Sequence, residues 1–317
     1  MPYPSWLSPR AHGLSPLAAE VLPVLYQHRL LSLRQLHRLL TAHRKRPEYL
    51  RTQLARLREL GLATATVRHR SGQGELLWYV TGLGAEVVEA SGEVAVRTHR
   101  MSDQAAASLL QEHTLAVNDV GVAFVEAARR LGHECGPLDW EPERAHRVRD
   151  GDRHGDDAVV IADAVLSYIH QHADRRRVLT YFIEVDRHTE TVVRLASKLR
   201  GYARYLTYIP TPPPGRGRPS RPAHGEAWRD RYTTFPRLLV VLDGKTPAAL
   251  ERRTADLRAI AQADLRLRHV ADRLISGVTT LELLQTRGPW DRVITPIFGD
   301  PTPTDALLQL DGQTRAA

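Results

Sequence analysis

Cysteine is almost missing from this chain: Cys135 is the single one among 317 residues. Neither an internal disulfide framework nor a thiolate zinc site can be built from it. There is no run of eighteen apolar residues, so no membrane-spanning helix is expected. The first thirty residues lack the apolar core of a signal peptide, because Pro4, Pro9, Arg10, His12 and Pro16 interrupt it. The expectation from these absences is a cytoplasmic protein without membrane partners. Also missing are an internal repeat, a Gly-rich phosphate loop ending in Lys-Ser/Thr, and a nucleophile elbow, which leaves ATPase and serine-hydrolase chemistry without sequence support. Lysine is scarce: Lys45, Lys198 and Lys245 are three among 44 basic residues, the rest being arginine. A lysine in this chain therefore carries more information than any one arginine.

What is present is globular in composition, with 42% hydrophobic and 25% charged residues. The length exceeds one ordinary domain and suits two. The net charge of +8 is uneven: residues 1–100 hold 14 Lys and Arg against 7 Asp and Glu, whereas the remainder holds 30 against 29. A basic first third on a near-neutral body is the electrostatic footprint of a nucleic-acid-binding module. The expected organisation is a DNA-binding domain over residues 1–100, an α/β domain over 101–299 and a tail over 300–317.

In the first hundred residues, apolar periodicity predicts a helix over 14–31, with Pro23 inside it as a candidate kink. Ser32 caps a second helix over 33–40. A basic connection (His43, Arg44, Lys45, Arg46) leads to a third helix over 47–60, striped by Leu50, Leu54, Leu57 and Leu60. Two strand-like runs, 63–70 and 75–81, flank Ser71-Gly72-Gln73-Gly74 and read as a hairpin. Three helices followed by a basic-edged hairpin is the order of a winged helix-turn-helix, whose third helix suits a major groove. Arg44, Lys45, Arg46, Arg51, Arg56, Arg68 and Arg70 are the candidate DNA contacts, chiefly to phosphate. Arg29, Arg34 and Arg38 read as ordinary surface charges.

Helices are predicted over 82–100 and 105–131, then strands over 138–147, 157–169 and 177–186, a helix over 191–206 and a strand over 237–242. That order describes a mixed-sheet α/β unit. Asp163 sits late in the second of these strands, and Glu184 and Asp186 end the third. Residues two apart on a strand face the same side. Paired strands would bring Asp163 to Glu184 and Asp186, an oxygen site suited to Mg²⁺ or Mn²⁺. Lys198 and Tyr202 are i,i+4 neighbours on the following helix and face one groove. His170 and His172 place two imidazoles on one strand face, with no third metal ligand nearby in sequence. Residues 210–225 read as a basic Pro/Gly-rich insertion, 247–263 as an arginine-rich helix and 279–286 as a short helix.

Ala162-Asp163-Ala164, Phe182-Ile183-Glu184-Val185-Asp186-Arg187, and Lys198-Leu199 with Tyr202 together resemble the replication-relaxation family of plasmid and mobile-element proteins. His113-Thr114-Leu115-Ala116-Val117-Asn118-Asp119 is similar to that family too, and the resemblance spans about residues 15–290. It implies a role in plasmid replication or conjugative mobilisation, with DNA as partner and a relaxase or replication initiator as candidate protein partner. The same residues resemble the PD-(D/E)xK pattern of restriction-endonuclease-like domains, which implies Asp163, Glu184 and Lys198 as catalytic residues. The position two after Glu184, where that pattern has Lys, holds Asp186, so Lys198 would have to act from the helix.

Three readings stay open on sequence: a DNA-binding protein with an inactive nuclease-like domain, a Mg²⁺-dependent endonuclease or nickase, and a transcriptional regulator or protein-interaction module. The structural alternative for the trio makes Asp163 a strand-end cap or turn residue and pairs Glu184 and Asp186 with Arg187 or Arg194. His113 and Asn118 are candidates to border the site.

Overall fold

The computed structural model describes residues 13–69, 74–92, 94–96, 110–150, 158–172, 175–211, 225–244 and 246–308. Arg70, most of the 210–225 insertion and the end of the tail lie outside the described residues. The chain divides into two compact units: residues 1–130 with 135–141, and residues 131–134 with 142–317. The long helix over 111–131 is thus grouped almost wholly with the first unit, beyond the boundary at residue 100 that composition suggested.

The first unit opens with α1 (Pro16–His28), whose first turn is capped by the Ser15 hydroxyl accepting from the Ala18 amide at 3.2 Å. The helix runs through Pro23 and ends where Arg29 adopts φ +66°. A two-residue strand, β1 (Leu31–Ser32), precedes α2 (Leu33–Leu40). Ser32 and Gln35 form a reciprocal capping box there, each side chain accepting the other residue's backbone N–H. Next come α3 (Glu48–Glu59), β2 (Ala63–Val67), β3 (Leu76–Val80), α4 (Gly82–Ser91) and α5 (Gln111–Leu131). The three strands form an antiparallel sheet in the order β1-β3-β2.

Leu50, Leu54 and Leu57 are fully buried along α3, as its stripe predicted. Asn118, also fully buried on α5, donates to the carbonyls of His28 at 3.2 Å and Leu30 at 2.9 Å. It thereby satisfies acceptors that the end of α1 leaves without an intrahelical partner. Asn118 is thus a structural tie within the first unit. Gly121 lies so close to Trp140 that a Cβ there would approach the indole to 2.4 Å.

The second unit is built on a six-stranded mixed sheet in the order β4-β5-β6-β7-β8-β9: Trp140–Arg147, Val159–His172, Arg175–Asp186, Arg237–Leu242, Ser276–Thr280 and Thr295–Pro296. β5 and β6 are antiparallel; β6, β7 and β8 run parallel; β9 returns antiparallel. Parallel neighbours need crossovers, supplied by α6 (Val192–Thr207) and by α7 (Pro247–Ala263) with α8 (Leu265–Arg268). All six residues of β7 are buried, as a central parallel strand covered on both faces requires. The main core packs Phe182, Leu199, Tyr202, Leu238, Val240 and Leu257, among others, between the sheet and these helices.

β1, β8 and β9 were not expected from sequence. β1 and β9 are two residues long, and β8 (Ser-Gly-Val-Thr-Thr) has too little apolar content to announce itself. The helix placed over 279–286 begins at Leu281, after β8, and is α9 (Leu281–Thr286).

Candidate functional site

The sheet brings Asp163, Glu184 and Lys198 together. Ala164 pairs with Ile183 across β5 and β6, so the next position along sets Asp163 opposite Glu184. The Asp163 carboxylate accepts the backbone N–H of Val185 at 2.7 Å. From α6, Lys198 Nζ donates to Glu184 Oε2 at 3.1 Å, and Tyr202 Oη donates to Glu184 Oε1. The i,i+4 pair recognised in sequence therefore grips both oxygens of one carboxylate. Lys198 also stands 3.7 Å from Glu190, which lies just before α6 and carried no signal in the sequence reading.

Burial sets the electrostatics. Glu184 is 1% exposed, and burial first, then the neighbouring Asp163 charge, pushes its carboxyl up to about 7 against the pull of Lys198 and Tyr202. Burial alone would lower Lys198, but Glu184 and Asp163 outweigh it, and the ammonium is held above its ordinary range. The Tyr202 phenol is raised by burial and by Glu184, which keeps it a proton donor. The arrangement is a buried, hydrogen-bonded carboxylate held above the ordinary carboxylate range, with the Lys198 cation at hand.

Asp186 departs from its assignment as a metal ligand. Its carboxylate accepts from Arg253 Nε on α7 and from the His188 amide at 3.1 Å. Arg253 also donates to the Glu190 carbonyl at 2.7 Å, which fixes the guanidinium in place. Among the described residues no three of His, Cys, Asp and Glu are arranged to hold a metal ion. The three-carboxylate set Asp163, Glu184 and Asp186 does not fit one: an arginine occupies the third, and both oxygens of the second are bonded. The partners expected for Glu184 and Asp186 are also corrected. Arg187 pairs with Asp243 at 3.5 Å and Arg194 with Glu190 at 3.5 Å. Arg253 was missed because it lies 67 residues from Asp186 on another crossover, where no local pattern links them.

In the first unit the basic candidates divide. Arg44, Lys45 and Arg46 are exposed in the turn before α3, and Arg44 lies over the Tyr49 ring at 4.8 Å. On α3 itself Tyr49, Arg51, Thr52, Ala55 and Arg56 face outward, opposite the leucine stripe. Arg51 and Arg56 are about 60% exposed, and among the described residues their ion pairs are i,i+3 contacts with Glu48 and Glu59. Such exposed pairs are weak and yield to a stronger anion. Arg68 is different: it forks onto Glu112 with two bonds of 2.7 Å and reaches Glu75 at 2.9 Å. These bonds hold the hairpin to α5 and engage the guanidinium that sequence offered to DNA. Arg38, read as a surface charge, likewise pairs with Glu126 at 2.5 Å.

Fold and site together define a mixed α/β protein of two units, one with a basic outward helix and the other with Asp163, Lys198 and Tyr202 gathered around the buried Glu184 where β5 and β6 pair. The replication-relaxation family model matches residues 22–216, and the chain belongs to that family. The match includes Asp163, Glu184, Lys198 and Tyr202 but stops before Arg253. No curated protein and no solved structure matches the chain. Membership points to a role in replication or mobilisation of a plasmid or mobile element. Among the described residues, no helix is long and apolar enough to cross a membrane.

Proposed function

We propose that this protein binds double-stranded DNA during plasmid or mobile-element replication or mobilisation, with the first unit as a winged helix-turn-helix and the second as a nuclease-like holding domain that does not cut. One observation carries the reading: α3 turns its leucines inward and presents Arg51, Thr52 and Arg56 outward, directly after an exposed Arg-Lys-Arg turn. Helix order and the antiparallel hairpin suit a recognition helix in a major groove. Guanidinium forks suit phosphate oxygens and guanine edges. In the second unit, both Glu184 oxygens are engaged and Asp186 is neutralised, which favours holding over hydrolysis.

A second reading, a Mg²⁺- or Mn²⁺-dependent endonuclease, is favoured by Lys198 standing where a migrated catalytic lysine would stand, beside Asp163 and Glu184. Asp163 and Glu184 are the residues that would hold an ion, and Glu184 would first have to give up Tyr202. Titrating a labelled duplex at low and moderate salt tests the first reading. A steep fall of log K with log salt is expected, and absence of any shift at low ionic strength overturns it in favour of a protein-interaction module. Incubation with supercoiled, linear and single-stranded DNA plus Mg²⁺ or Mn²⁺ tests the second. Cleavage that Glu184→Ala abolishes would replace the holding domain by a nuclease.

A further inference from the structure

His170 and His172, paired on one strand face in the sequence, have no place in the proposed function. In the second unit they ride the far end of the β5–β6 ladder, where His170 pairs with Arg177, Gln171 with Arg176 and His172 with Arg175. Strand alternation puts His170, His172, Arg175 and Arg177 on one face, and Glu184 on the other. The histidine face is therefore not the carboxylate site.

Trp290 comes onto this face from beyond α9. Its indole centroid lies 4.6 Å from that of His170 at an interplanar angle of 33°. The His170 and His172 rings follow at 6.3 Å, nearly parallel at 13°. Tyr168 fixes the inner end: its hydroxyl accepts from Trp290 Nε1 at 2.7 Å and pairs with His133 Nδ1 at 2.8 Å. His133 packs edge-on to both His170 and Trp290. His133 is the third imidazole that sequence did not place here, yet among the described residues no three such groups are arranged to hold a metal.

Tyr168 is buried, His133, His170 and Trp290 are half-buried and His172 is exposed, as are Arg175, Arg176 and Arg177. Glu134 is committed to Arg176 and Gln171, and Asp305 is the carboxylate whose charge bears on His170. Burial, with His133 and His172 adding to it, holds His170 below the usual imidazole range.

Exposed His172 at the outer end of the row, backed by His170 and Trp290 and flanked by the Arg175 and Arg177 guanidinium groups, matches one chemistry closely. Unstacked bases lie on aromatic faces while their phosphates meet arginine; a duplex, whose bases are already stacked on one another, offers only its edges. We propose that Trp290, His170 and His172, with Arg175 and Arg177, form a platform for single-stranded nucleic acid. The platform is independent of the duplex contact assigned to the first unit.

The test is fluorescence anisotropy on the full chain with a labelled oligothymidylate of about 20 nucleotides, which exceeds the site size of one such surface, and with a duplex of equal length. The double variant Arg175→Glu/Arg177→Glu changes only exposed side chains and should fold. It should weaken the oligothymidylate by roughly tenfold or more, reduce its salt dependence and leave duplex affinity unchanged. His172→Ala should weaken the same probe alone. Arg51→Ala/Arg56→Ala should do the reverse, which separates failure of this platform from failure of the first unit. Three results would overturn the platform: no oligothymidylate binding at low salt, single-strand affinity indifferent to the charge reversal, or competition by polyglutamate as strong as by the oligonucleotide at equal charge.

Discussion

Lys198 stands 3.1 Å from Glu184 across the gap between α6 and β6, and the carboxylate that it meets is 1% exposed. The lysine keeps 32% of its side chain in contact with solvent, so the cation tethers a buried group from the surface. Tyr202 closes the other oxygen from within the core. Breaking one arm of a buried pair costs far more than the pair contributes, because it leaves a charge without compensation.

Glu184 makes stability depend on pH in an unusual direction. Its carboxyl titrates near 4.5 in an ordinary environment and at about 7 in the fold. Between those values the unfolded chain has lost a proton that the native state keeps, so this group's contribution falls as pH rises through the window. Glu184→Gln removes that term while keeping an acceptor for Lys198 and Tyr202. Urea unfolding of both proteins from pH 4.5 to 7.5 should give a difference curve that slopes in the wild type's disfavour as pH rises. A flat difference would mean that Glu184 is ionised throughout.

Arg253 is the counterpart of Asp186, with both side chains at most 10% exposed. Arg253→Met should cost about 3–5 kcal/mol, the typical result of stranding a buried charge. The double variant Asp186→Asn/Arg253→Met should recover most of that loss. Chemical denaturation of the four proteins gives the coupling directly. Additive single effects would show that the two groups do not act as a pair.

Among the basic residues of the first unit, exposure separates function from support. Lys45→Ala and Arg51→Ala should each lower the slope of log K against log salt by about 1 for duplex DNA, without changing the unfolding midpoint. Arg68→Ala should leave the slope intact and cost about 1 kcal/mol of stability, because its partners Glu75 and Glu112 are half-exposed to nearly buried. If Arg68→Ala lowered the slope as Lys45→Ala does, its ion pairs would be open to exchange with phosphate.

The elements legible in sequence were those whose pattern is local. The leucine stripe of α3, the capping signal at Ser32 and the continuous apolar runs of β6 and β7 each follow from neighbours along the chain. Asp163, Glu184 and Lys198 were legible for the same reason: ladder pairing and one crossover suffice to bring them together. What was not legible depends on distant chain. Arg253 takes Asp186 from a helix that follows the next strand, Glu112 takes Arg68 from 44 residues away, and Trp290 reaches His170 from beyond α9. Charge patterning shows that such groups need partners but does not name them.

His146 supplies a pH dependence of opposite sign in the same unit. It is 1% exposed, its Nε2 is 2.7 Å from the Tyr232 hydroxyl, and its ring packs against those of Phe182 and Tyr205 at 4.9 Å. Burial first, then the charges of Arg231 and Arg144, pull it down to about 4 from the ordinary 6.5. Below 6.5 the unfolded chain takes up a proton that the native imidazole refuses, so stability is lost as pH falls from 6.5 through 4. This term and that of Glu184 overlap near pH 5–6 and partly cancel in the wild type, so only difference curves separate them. His146→Phe keeps the aromatic packing and removes the titration. Its stability relative to wild type should improve steadily as pH is lowered from 6.5 to 4.5, whatever constant penalty the lost Tyr232 bond imposes. A constant difference across that range would show that His146 is protonated in the fold and that its neighbours, Arg144 and Arg231 included, accommodate the charge.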